Sequence, residues 1–573
     1  MTSFDLRAFY DDLWIKRVIT NPDKLPVSEL LAVRKEEGDE FEESRWTNRD
    51  LIPTPKDRQT WTAISYFGYW AVAGMGIPTW SMGSSALAYG LNCKLALVAM
   101  AVGWLLVGIL CCAIGAIGQK WRIGYTVTSR AAFGFYGCYL PIAIKSFVAC
   151  IWQGSHFYYI GQGFVGAFGA LSPSCITGDL GQTFSDWSPL TKIELIGVMV
   201  ALVLFCLVML TPPEKMQTMV HISFVLQCGS FFGILGWAVH ANGGKLGPLW
   251  DKPSSTETGF NPAWGVFFMI TSIMGSNSGI LGQSDWTRYA KTRFAPNWSQ
   301  LISAPITGFC TAAMGIFASA AMEPVLGIIY WNPVALLPAL LVHYDFSPAA
   351  RGAVFFASFG IISGQLWQAV LLTACSTGMD IAGFWPKYIN IRRGSYIMSI
   401  IGILCQPWKL LSTSGVFLTV ISGFAVFIGP LVGCAVADYF FVRKQKYRMP
   451  DLYQNDESSI YNYKWGINWR GMFSIAAGSL PTLPGLICSG GGYPMPSGYE
   501  KLYNLTYLFG IVTTMVVHYL INLVFPPAGL GEEAPYTDKV YDEYEGIELD
   551  VSGDSSSDTK AIGHVKVKAV NDV

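Results

Sequence analysis

Charged residues are scarce in this sequence. Lys, Arg, Asp and Glu make up 13% of the 573 residues, whereas 52% are hydrophobic and the mean hydropathy is +0.38. Soluble domains carry about 25% charged residues, so a chain of this composition needs lipid around its apolar surface. The formal net charge of −1 offers no basic face to a phosphate backbone, which argues against nucleic acid as a partner.

Several chemical signatures are also missing. The 13 cysteines are an odd number and show no CxxC pair or metal-ligand spacing, so we interpret them as small core residues rather than disulfide partners or metal ligands. No HExxH motif, nucleophile elbow or pair of intramembrane carboxylates occurs, and we expect neither an enzyme nor a bound cofactor. The first sixty residues are polar, so we expect no cleavable signal peptide.

Long apolar runs, by contrast, recur along the chain. Each is close to the length of about 20 residues that a membrane helix requires, and none shows the alternation of an outer-membrane barrel. Because helices satisfy the backbone in lipid, the sequence predicts an all-α integral membrane protein. The twelve predicted spans are 62–89, 95–117, 138–166, 193–211, 218–240, 262–282, 302–325, 352–377, 396–412, 414–441, 469–489 and 502–525.

Positive charge is distributed unevenly between the loops. Lys and Arg concentrate in loops that follow even-numbered spans, such as the one with Arg288 and Lys291, and in the N-terminal segment. Both termini are therefore predicted to face the cytoplasm. Trafficking or ubiquitination machinery would contact the two tails. The predicted parts are a cytoplasmic tail (1–61), spans 1–5 (62–240), spans 6–10 (262–441), spans 11 and 12 (469–525) and an acidic, disordered tail (526–573).

Two of the spans carry helix breakers near their centres. Span 1 contains AVAGMGIPTW at 71–80, and span 6 contains MGSNSGILG at 274–282. Each Gly costs a helix about 1 kcal/mol relative to Ala, and an interior Pro about 3 kcal/mol. A matched pair of breaks, five spans apart, is typical of inverted-repeat transporters that bind substrate where two helices unwind. The alternative is close helix packing through small residues, which is common in membrane proteins.

Several longer motifs carry a family resemblance that covers residues 45–525. They are NRDLIPTPKDRQTW (48–61), SDWTRYAK (284–291), FWPKYINIRRGSY (384–396), QPWKLL (406–411) and GPLVGCAVADYFFVRK (429–444). With these motifs the chain resembles the nucleobase–cation symporter-1 family, and most of all the fungal branch of uracil, allantoin, uridine and thiamine permeases. The resemblance implies a LeuT-type fold with two inverted five-helix repeats plus two C-terminal helices, alternating access, a co-transported cation and the plasma membrane as location.

The resemblance also implies a span-3 wall for the substrate. In the family a Trp and a Gln four residues later face the substrate ring, with a basic residue seven positions before the Trp. Here these positions hold Lys145, Trp152 and His156. Four residues apart on a helix share a face, and an indole suits stacking on a flat heterocycle. His156 could hydrogen-bond substrate or carry a proton; the alternative is a neutral His bonded to a neighbouring helix.

Further substrate-facing candidates lie in spans 1, 6 and 8. We expect backbone groups at Gly74–Gly76, Met75 included, to face the ligand. The remaining candidates are Ser276, Asn277, Gln365, Gln368 and Thr373. Several of these positions lack amides or aromatics that relatives carry, and an amide offers both a donor and an acceptor to a uracil-like edge. We therefore expect a substrate other than plain uracil. The missing side chain at Gly76 suggests a substrate bulkier than a bare pyrimidine.

Two positions in span 8 indicate which ion is co-transported. Sodium-coupled relatives place two hydroxyl ligands where this chain has Trp367 and Gln368, and an indole cannot ligate a cation through its N–H. A co-transported proton is therefore favoured over sodium. Its candidate carriers are His156 and then Asp285 and Asp380, although these two carboxylates could instead cap helices or pair with Arg or Lys. The competing function is a membrane receptor that binds a nutrient without moving it.

Overall fold

The structure is a computed structural model that describes residues 32–33, 44–185, 188–211, 216–250, 253–255 and 261–536. The predicted cytoplasmic tail (1–61) is therefore described in part. The predicted acidic tail (526–573) is described as far as residue 536, and the expectation of disorder beyond it lies outside the described residues. The described chain is mostly helical, with one two-stranded antiparallel hairpin.

The first half of the chain holds the predicted spans 1–5. Its elements are α1 (Ala63–Gly74), α2 (Ile77–Ala88), α3 (Cys93–Trp121), α4 (Tyr125–Phe133), α5 (Tyr139–Leu171), α6 (Ser174–Thr177), β1 (Thr183–Ser185), β2 (Ser188–Thr191), α7 (Lys192–Val208) and α8 (Gln217–Ala241), with 3₁₀ turns at Lys56–Arg58, Asp179–Gly181 and Pro248–Trp250.

The second half holds the predicted spans 6–12. Its elements are α9 (Pro262–Ser276), α10 (Gln283–Thr287), α11 (Ala295–Leu326), α12 (Pro333–His343), α13 (Pro348–Gln368), α14 (Ser376–Ala382), α15 (Ile391–Leu404), α16 (Pro407–Leu410), α17 (Ser414–Val436), α18 (Trp469–Ser479), α19 (Leu483–Gly491), α20 (Ser497–Asn504) and α21 (Thr506–Val524), with π-helical turns at Ala369–Cys375 and Ala437–Val442 and 3₁₀ turns at Ser278–Ile280, Pro450–Leu452 and Lys464–Gly466.

Six of the described helices are long and apolar enough to cross a membrane, or seven if a pair bent by 47° is counted as one span. The six are Cys93–Trp121, Thr218–Ala241, Ala295–Leu326, Pro348–Ala382, Ser414–Val442 and Thr506–Val524, and the bent pair is Lys464–Ser479 with Leu483–Gly491. The chain is therefore a multi-pass membrane protein, as the apolar runs predict.

The structure adds elements that the apolar runs did not predict. Helix α4 lies in the connection between spans 2 and 3, and α12 lies between spans 7 and 8. The predicted ninth span (396–412) divides into α15 and α16, since Gln406 adopts a left-handed conformation with φ of 54°. These features are short, and the length of an apolar run is a poor signal for them.

Both predicted breaks are present as helix interruptions. Helix α1 ends at Gly74, and Gly76 is extended with ψ of 157° before α2 begins, with Pro78 in its first turn, where the missing N–H is tolerated. In span 6, α9 ends at Ser276, and the chain passes through Asn277 and a 3₁₀ turn before α10. The breakers therefore interrupt the spans at the positions the sequence predicts.

Helix packing places the two interrupted spans next to a common centre. Helix α11 packs against α1, α2 and α3, and α13 packs against α5 and α8. Helix α17 packs against α9 and α21 and also contacts α5. Spans 1, 3, 6, 8 and 10 therefore meet around the two breaks.

Candidate functional site

Span 3 contributes an aromatic wall. Trp152 and His156 lie one turn apart on α5, and both are buried. Their rings stack with centroids 6.0 Å apart and an interplanar angle of 28°. Phe424 of α17 also lies near Trp152, with ring centroids 6.2 Å apart. The Trp152 indole N–H has no hydrogen-bond partner among the described residues.

Span 8 fixes the tautomer of His156. The Gln365 carboxamide nitrogen is hydrogen-bonded to Nδ1 of His156, so Nδ1 accepts and a neutral ring carries its hydrogen on Nε2. Oε1 of Gln365 is buried and has no partner within the described part of the chain. The pair therefore offers a donor and an acceptor side by side, next to the indole of Trp152.

Gln368 faces the break in span 1. In a continuous helix the carbonyl of Val72 would accept from the N–H of Gly76, but the break removes that bond. Nε2 of Gln368 donates to this carbonyl at 2.6 Å instead. A Cβ at position 76 would collide with the Gln368 carboxamide. The space left by Gly76, which the sequence suggested would enlarge the pocket, is thus occupied by Gln368.

Thr373 lies within the π-helical turn of span 8. Its hydroxyl is 2.7 Å from the carbonyl of Ala369 and also within hydrogen-bond distance of Oε1 of Gln153. Gln153 in turn donates to Ser399 of α15 at 3.2 Å. Sequence reasoning missed Gln153, although its place beside Trp152 in a span was a signal, because a buried amide in lipid needs partners. π-Helical turns often occur at functional sites.

The span-6 candidates, Ser276 and Asn277, form hydrogen bonds within the C-terminal end of their own helix, α9. The hydroxyl of Ser276 and the amide of Asn277 each donate to the carbonyl of Ile273 at 2.7 Å. Ser276 also lies 3.4 Å from the sulfur of Met82, which connects the two interrupted spans. Both side chains are half-buried and close the last turn of α9.

Two span-1 candidates pack against span 7 rather than against the wall of span 3. A Cβ at Gly74 would collide with Thr307 and with the backbone of Gly308 in α11. The sulfur of Met75 lies 2.8 Å from the hydroxyl of Thr311. Gly74 is therefore required for close helix packing, and the structure brings Gly76, but not the side chain of Met75, toward span 8.

A buried ion cluster lies about two helical turns from this wall along α5, since Lys145 precedes Trp152 by seven residues. Nζ of Lys145 is 3.0 Å from Oδ2 of Asp285 and 2.7 Å from Oδ2 of Asp380, and Ser376 lies 3.1 Å from Nζ. The three charged side chains are at most 4% exposed. Asp285 and Asp380 thus pair with a lysine, which is the alternative that the sequence left open.

Helix α4 supports the same cluster with its N-terminal end. The N–H of Tyr125 donates to Oδ1 of Asp285 at 2.7 Å, and the hydroxyl of Thr126 donates to Oδ1 of Asp380 at 2.9 Å. Backbone N–H groups at a helix N-terminus favour negative charge. The cluster therefore joins spans 3, 6 and 8 with the helix between spans 2 and 3.

Two interrupted spans facing an aromatic wall define a class of membrane transporter whose site lies where helices unwind. The chain belongs to the family described as permease for cytosine/purines, uracil, thiamine, allantoin, whose profile matches residues 53–510. This confirms the family resemblance and its transport function, and the relatives are permeases and transporters rather than enzymes.

Three relatives illustrate the match. Transporter aclS from Aspergillus oryzae is 29% identical and covers 90% of this chain and 92% of its own length. The uridine permease of Saccharomyces cerevisiae is 29% identical, covering 88% of this chain and 79% of its own. The allantoin permease of the same yeast is 28% identical, covering 85% and 77%.

The fold resembles that of a solved transporter. The inward-facing conformation of Mhp1 matches with a TM-score of 0.64 at 17% identity, covering 84% of this chain and 95% of its own. The closed conformation of Mhp1 with bromovinylhydantoin bound, described as a nucleobase-cation-symport-1 family transporter, matches with a TM-score of 0.60 at 18% identity, covering 84% and 97%. The chain therefore has a LeuT-like transporter fold.

Proposed function

We propose that this protein is a proton-coupled symporter that imports a small heterocyclic compound across the plasma membrane by alternating access. Twelve membrane helices would form two inverted five-helix repeats, spans 1–5 and 6–10, followed by two further helices, with both termini in the cytoplasm. The observation that carries the proposal is the wall of Trp152 and His156, with Gln365 bonded to His156, beside two interrupted spans.

The wall suits a flat ring with a polar edge. Offset stacking on Trp152 adds energy beyond the burial of area. Nε2–H of His156 can donate to a ring carbonyl or nitrogen, and Oε1 of Gln365 can accept from a ring N–H. The relatives named as permeases of uridine, uracil and allantoin, and as thiamine transporters, support a substrate of this class.

The contacts of Gln368 argue against a sodium site between spans 1 and 8. Its amide N–H donates to the Val72 carbonyl, so a carbonyl oxygen that the break in span 1 frees already has a donor and is not open to a cation. Trp367 at the neighbouring position provides no lone pair. A proton as the co-transported ion requires none of these ligands.

The cluster of Lys145, Asp285 and Asp380 is the carrier we favour for that proton. Two carboxylates and one ammonium leave an uncompensated negative charge when all three are ionised, and uncompensated charge is costly in a buried site. One proton on the pair of carboxylates removes it. His156 is the alternative carrier, but its Nδ1 could take a proton only if the Gln365 carboxamide turned its oxygen toward the ring.

Uptake of radiolabelled uracil, uridine, allantoin and thiamine, in cells that lack their own uptake of each compound, tests the function. At least one compound should accumulate, and a protonophore should abolish the accumulation whereas replacement of sodium should not. Trp152→Ala should remove saturable uptake, with the exposed Trp298→Ala as matched control. Binding without uptake would favour the receptor, and sodium-dependent uptake would refute proton coupling.

Two variants separate the carriers of the proton. Asp380→Asn should abolish accumulation driven by a pH gradient but retain exchange of labelled for unlabelled substrate, and the exposed Asp179→Asn is its control. If His156 carries the proton instead, His156→Gln should flatten the pH dependence of uptake and Asp380→Asn should leave it intact.

A further inference from the structure

A groove between α8, α12 and α13 lies outside the candidate substrate site. Its volume is about 680 Å³, within the range of about 300–1,000 Å³ that is typical of small-molecule pockets. Helices α8 and α13 are two of those long and apolar enough to cross a membrane, and the apolar side chains of Val225 and Phe356 are exposed at the edge of the groove. An exposed apolar groove between two membrane helices faces lipid, so its occupant is a component of the membrane.

One end of the groove is closed by direct contact between α8 and α13. A Cβ at Gly360 would collide with the hydroxyl of Ser230 and the carbonyl of Leu226. One turn further along, the hydroxyls of Ser223 and Ser363 are 2.8 Å apart. The groove therefore ends where these two helices come into contact, near the middle of both spans.

The length of the groove matches the depth of one leaflet. Its lining on α8 runs from Val225 to Trp237, which is about 18 Å at a rise of about 1.5 Å per residue. The hydrocarbon core of a bilayer is about 30 Å thick, so one leaflet contributes about 15 Å. Trp237 lies one turn before α8 ends at Ala241, and Tyr344 and Ser347 lie just before α13 begins. This end of the groove is therefore at the membrane surface, where Trp and Tyr are enriched.

The end at the membrane surface is polar but uncharged. Nε1 of Trp237 donates to the hydroxyl of Tyr344 at 3.1 Å, so this hydroxyl has its own hydrogen left to donate, and Ser347 also lines this end. Among the described residues that line the groove, none is Lys, Arg, Asp or Glu. Arg351 of α13 donates to two carbonyls at the end of α5 instead, and the exposed Asp345 follows Tyr344 in the chain. A phosphate head group would find no cation here, whereas a single hydroxyl would find a donor.

The floor of the groove consists of small residues. Gly229 and Gly233 of α8 and Ala353 of α13 line it, and a Cβ at either glycine would meet nothing within 4 Å. The exposed rings of Phe356 and Phe359 stand at the edge. Such a surface is complementary to the flat face of a rigid fused-ring system. A rigid ligand also loses less conformational freedom on binding than a flexible acyl chain does.

We propose that this groove binds one sterol molecule, with the ring system on the small residues of α8 and α13 and the hydroxyl at Tyr344. The groove complements an apolar body of one-leaflet length with a single neutral polar end. In the orientation proposed above, the sterol lies in the outer leaflet. It packs against both span 5 and span 8, and span 8 carries Gln365 and Gln368 of the candidate substrate site.

Photolabelling of the full-length protein in phosphatidylcholine nanodiscs with a diazirine-bearing sterol tests the proposal. In the wild type, saturable labelling should map to residues 225–237 and 349–360, and an excess of the unmodified sterol should displace it. Gly233→Leu fills the groove from a position with open space and should lower the labelling on the order of fivefold or more. Gly236→Leu is the matched control, since this exposed glycine of the same helix also has open space around it but does not line the groove. It should be labelled as the wild type is.

A second variant tests the polar end and keeps the proposal testable if Gly233→Leu does not fold. Tyr344→Phe retains the ring but removes the hydroxyl, so it should weaken labelling by the hydroxyl-bearing sterol on the order of threefold or more. Labelling by the matching 3-deoxy sterol should be the same in Tyr344→Phe and the wild type.

Three results would overturn the proposal. The first is equal labelling of Gly233→Leu and Gly236→Leu. The second is equal labelling of the groove by a diacyl phospholipid probe, which would assign it to acyl chains. The third is a set of crosslinks between two copies of the chain that Gly233→Leu removes, which would make the groove a dimer interface. No substrate or ion gradient enters these measurements, so proton-coupled transport stands or falls in the uptake measurements alone.

Discussion

The helix ends at the two breaks are held by hydrogen bonds of opposite origin. In span 6, the side chains of Ser276 and Asn277 both return to the carbonyl of Ile273 one turn earlier. In span 1, Gly76 has no side chain to offer, and the carbonyl of Val72 is satisfied by Gln368 from span 8. Lipid offers no hydrogen bonds, so a break without polar residues must obtain a partner from another helix.

This difference makes the first break a joint between two helices and the second a self-contained helix end. Span 8 cannot move away from span 1 without exposing the Val72 carbonyl, whereas α9 keeps its cap in any arrangement of its neighbours. If transport requires spans 1 and 8 to shift against each other, the bond from Gln368 is one that must break and re-form. Substitutions at the two breaks should therefore differ in how much they destabilise the protein and in whether that loss depends on span 8.

The largest effect is expected from replacing the glycine at the first break. Gly76→Ala should destabilise the protein by about 2–3 kcal/mol, because the added methyl displaces the Gln368 carboxamide and overpacks the joint. Gly279→Ala is the matched control in span 6, where a Cβ meets nothing within 4 Å, and it should change stability by at most about 0.5 kcal/mol. Unfolding temperatures of the purified variants, measured alongside uptake, would show the contrast. Equal effects at both glycines would refute the distinction between the two breaks.

The next largest effect is expected from Gln368→Ala, which should lower the free energy of unfolding by about 1–3 kcal/mol. This variant leaves the buried Val72 carbonyl without its hydrogen-bond partner. The double variant Gly76→Ala with Gln368→Ala sharpens this prediction. Once the carboxamide is gone, the methyl at position 76 has room. The free energy of unfolding of the double variant should therefore fall by about 1 kcal/mol or more less than the sum of the two single losses. Additive losses would mean that Gly76 and Gln368 act independently.

The sequence shows one side of this joint but not the other. GMGIP at the first break and GSNSG at the second identify both interruptions, because breakers within an apolar run are a local signal. Gln368 lies almost 300 residues from Val72, and nothing local in the sequence distinguishes it from a substrate-facing amide. Pairings of this kind depend on how helices pack, which the helical periodicity of one chain does not encode.

The same limit applies to the charged groups. The sequence analysis names Asp285 and Asp380 as candidate proton carriers after His156, and Lys145 through the family register, but it does not show that the three meet. The wall of Trp152 and His156 is predicted because the family resemblance implies a substrate-facing role for both positions, and a spacing of four places them on one face of a helix. The partners of Gln153 and Gln365 required the packing of α5 against span 8.

Asn277→Ala should lower the free energy of unfolding by about 1 kcal/mol, as expected for the loss of a side chain that caps a helix end. The loss is smaller than at Gln368 because the carbonyl of Ile273 keeps two other donors, the hydroxyl of Ser276 and the backbone N–H of residue 277 at 3.3 Å. The double variant Asn277→Ala with Gln368→Ala should show additive losses, since the two side chains serve different breaks. A coupling energy near that of the Gly76 pair would mean that the breaks are linked.

Ser276→Ala is expected to have the smallest effect, at most about 0.5 kcal/mol on stability. Its hydroxyl donates to a carbonyl that Asn277 also reaches, and the residue is only half-buried, so water can replace what the carbonyl loses. If the hydroxyl also faces the ligand, uptake should still change, with an increased KM at unchanged stability. Measured together, the unfolding temperature and KM of Ser276→Ala therefore separate a role in the helix end from a role toward substrate. A large loss of stability would show instead that the second break, like the first, depends on a single hydrogen bond.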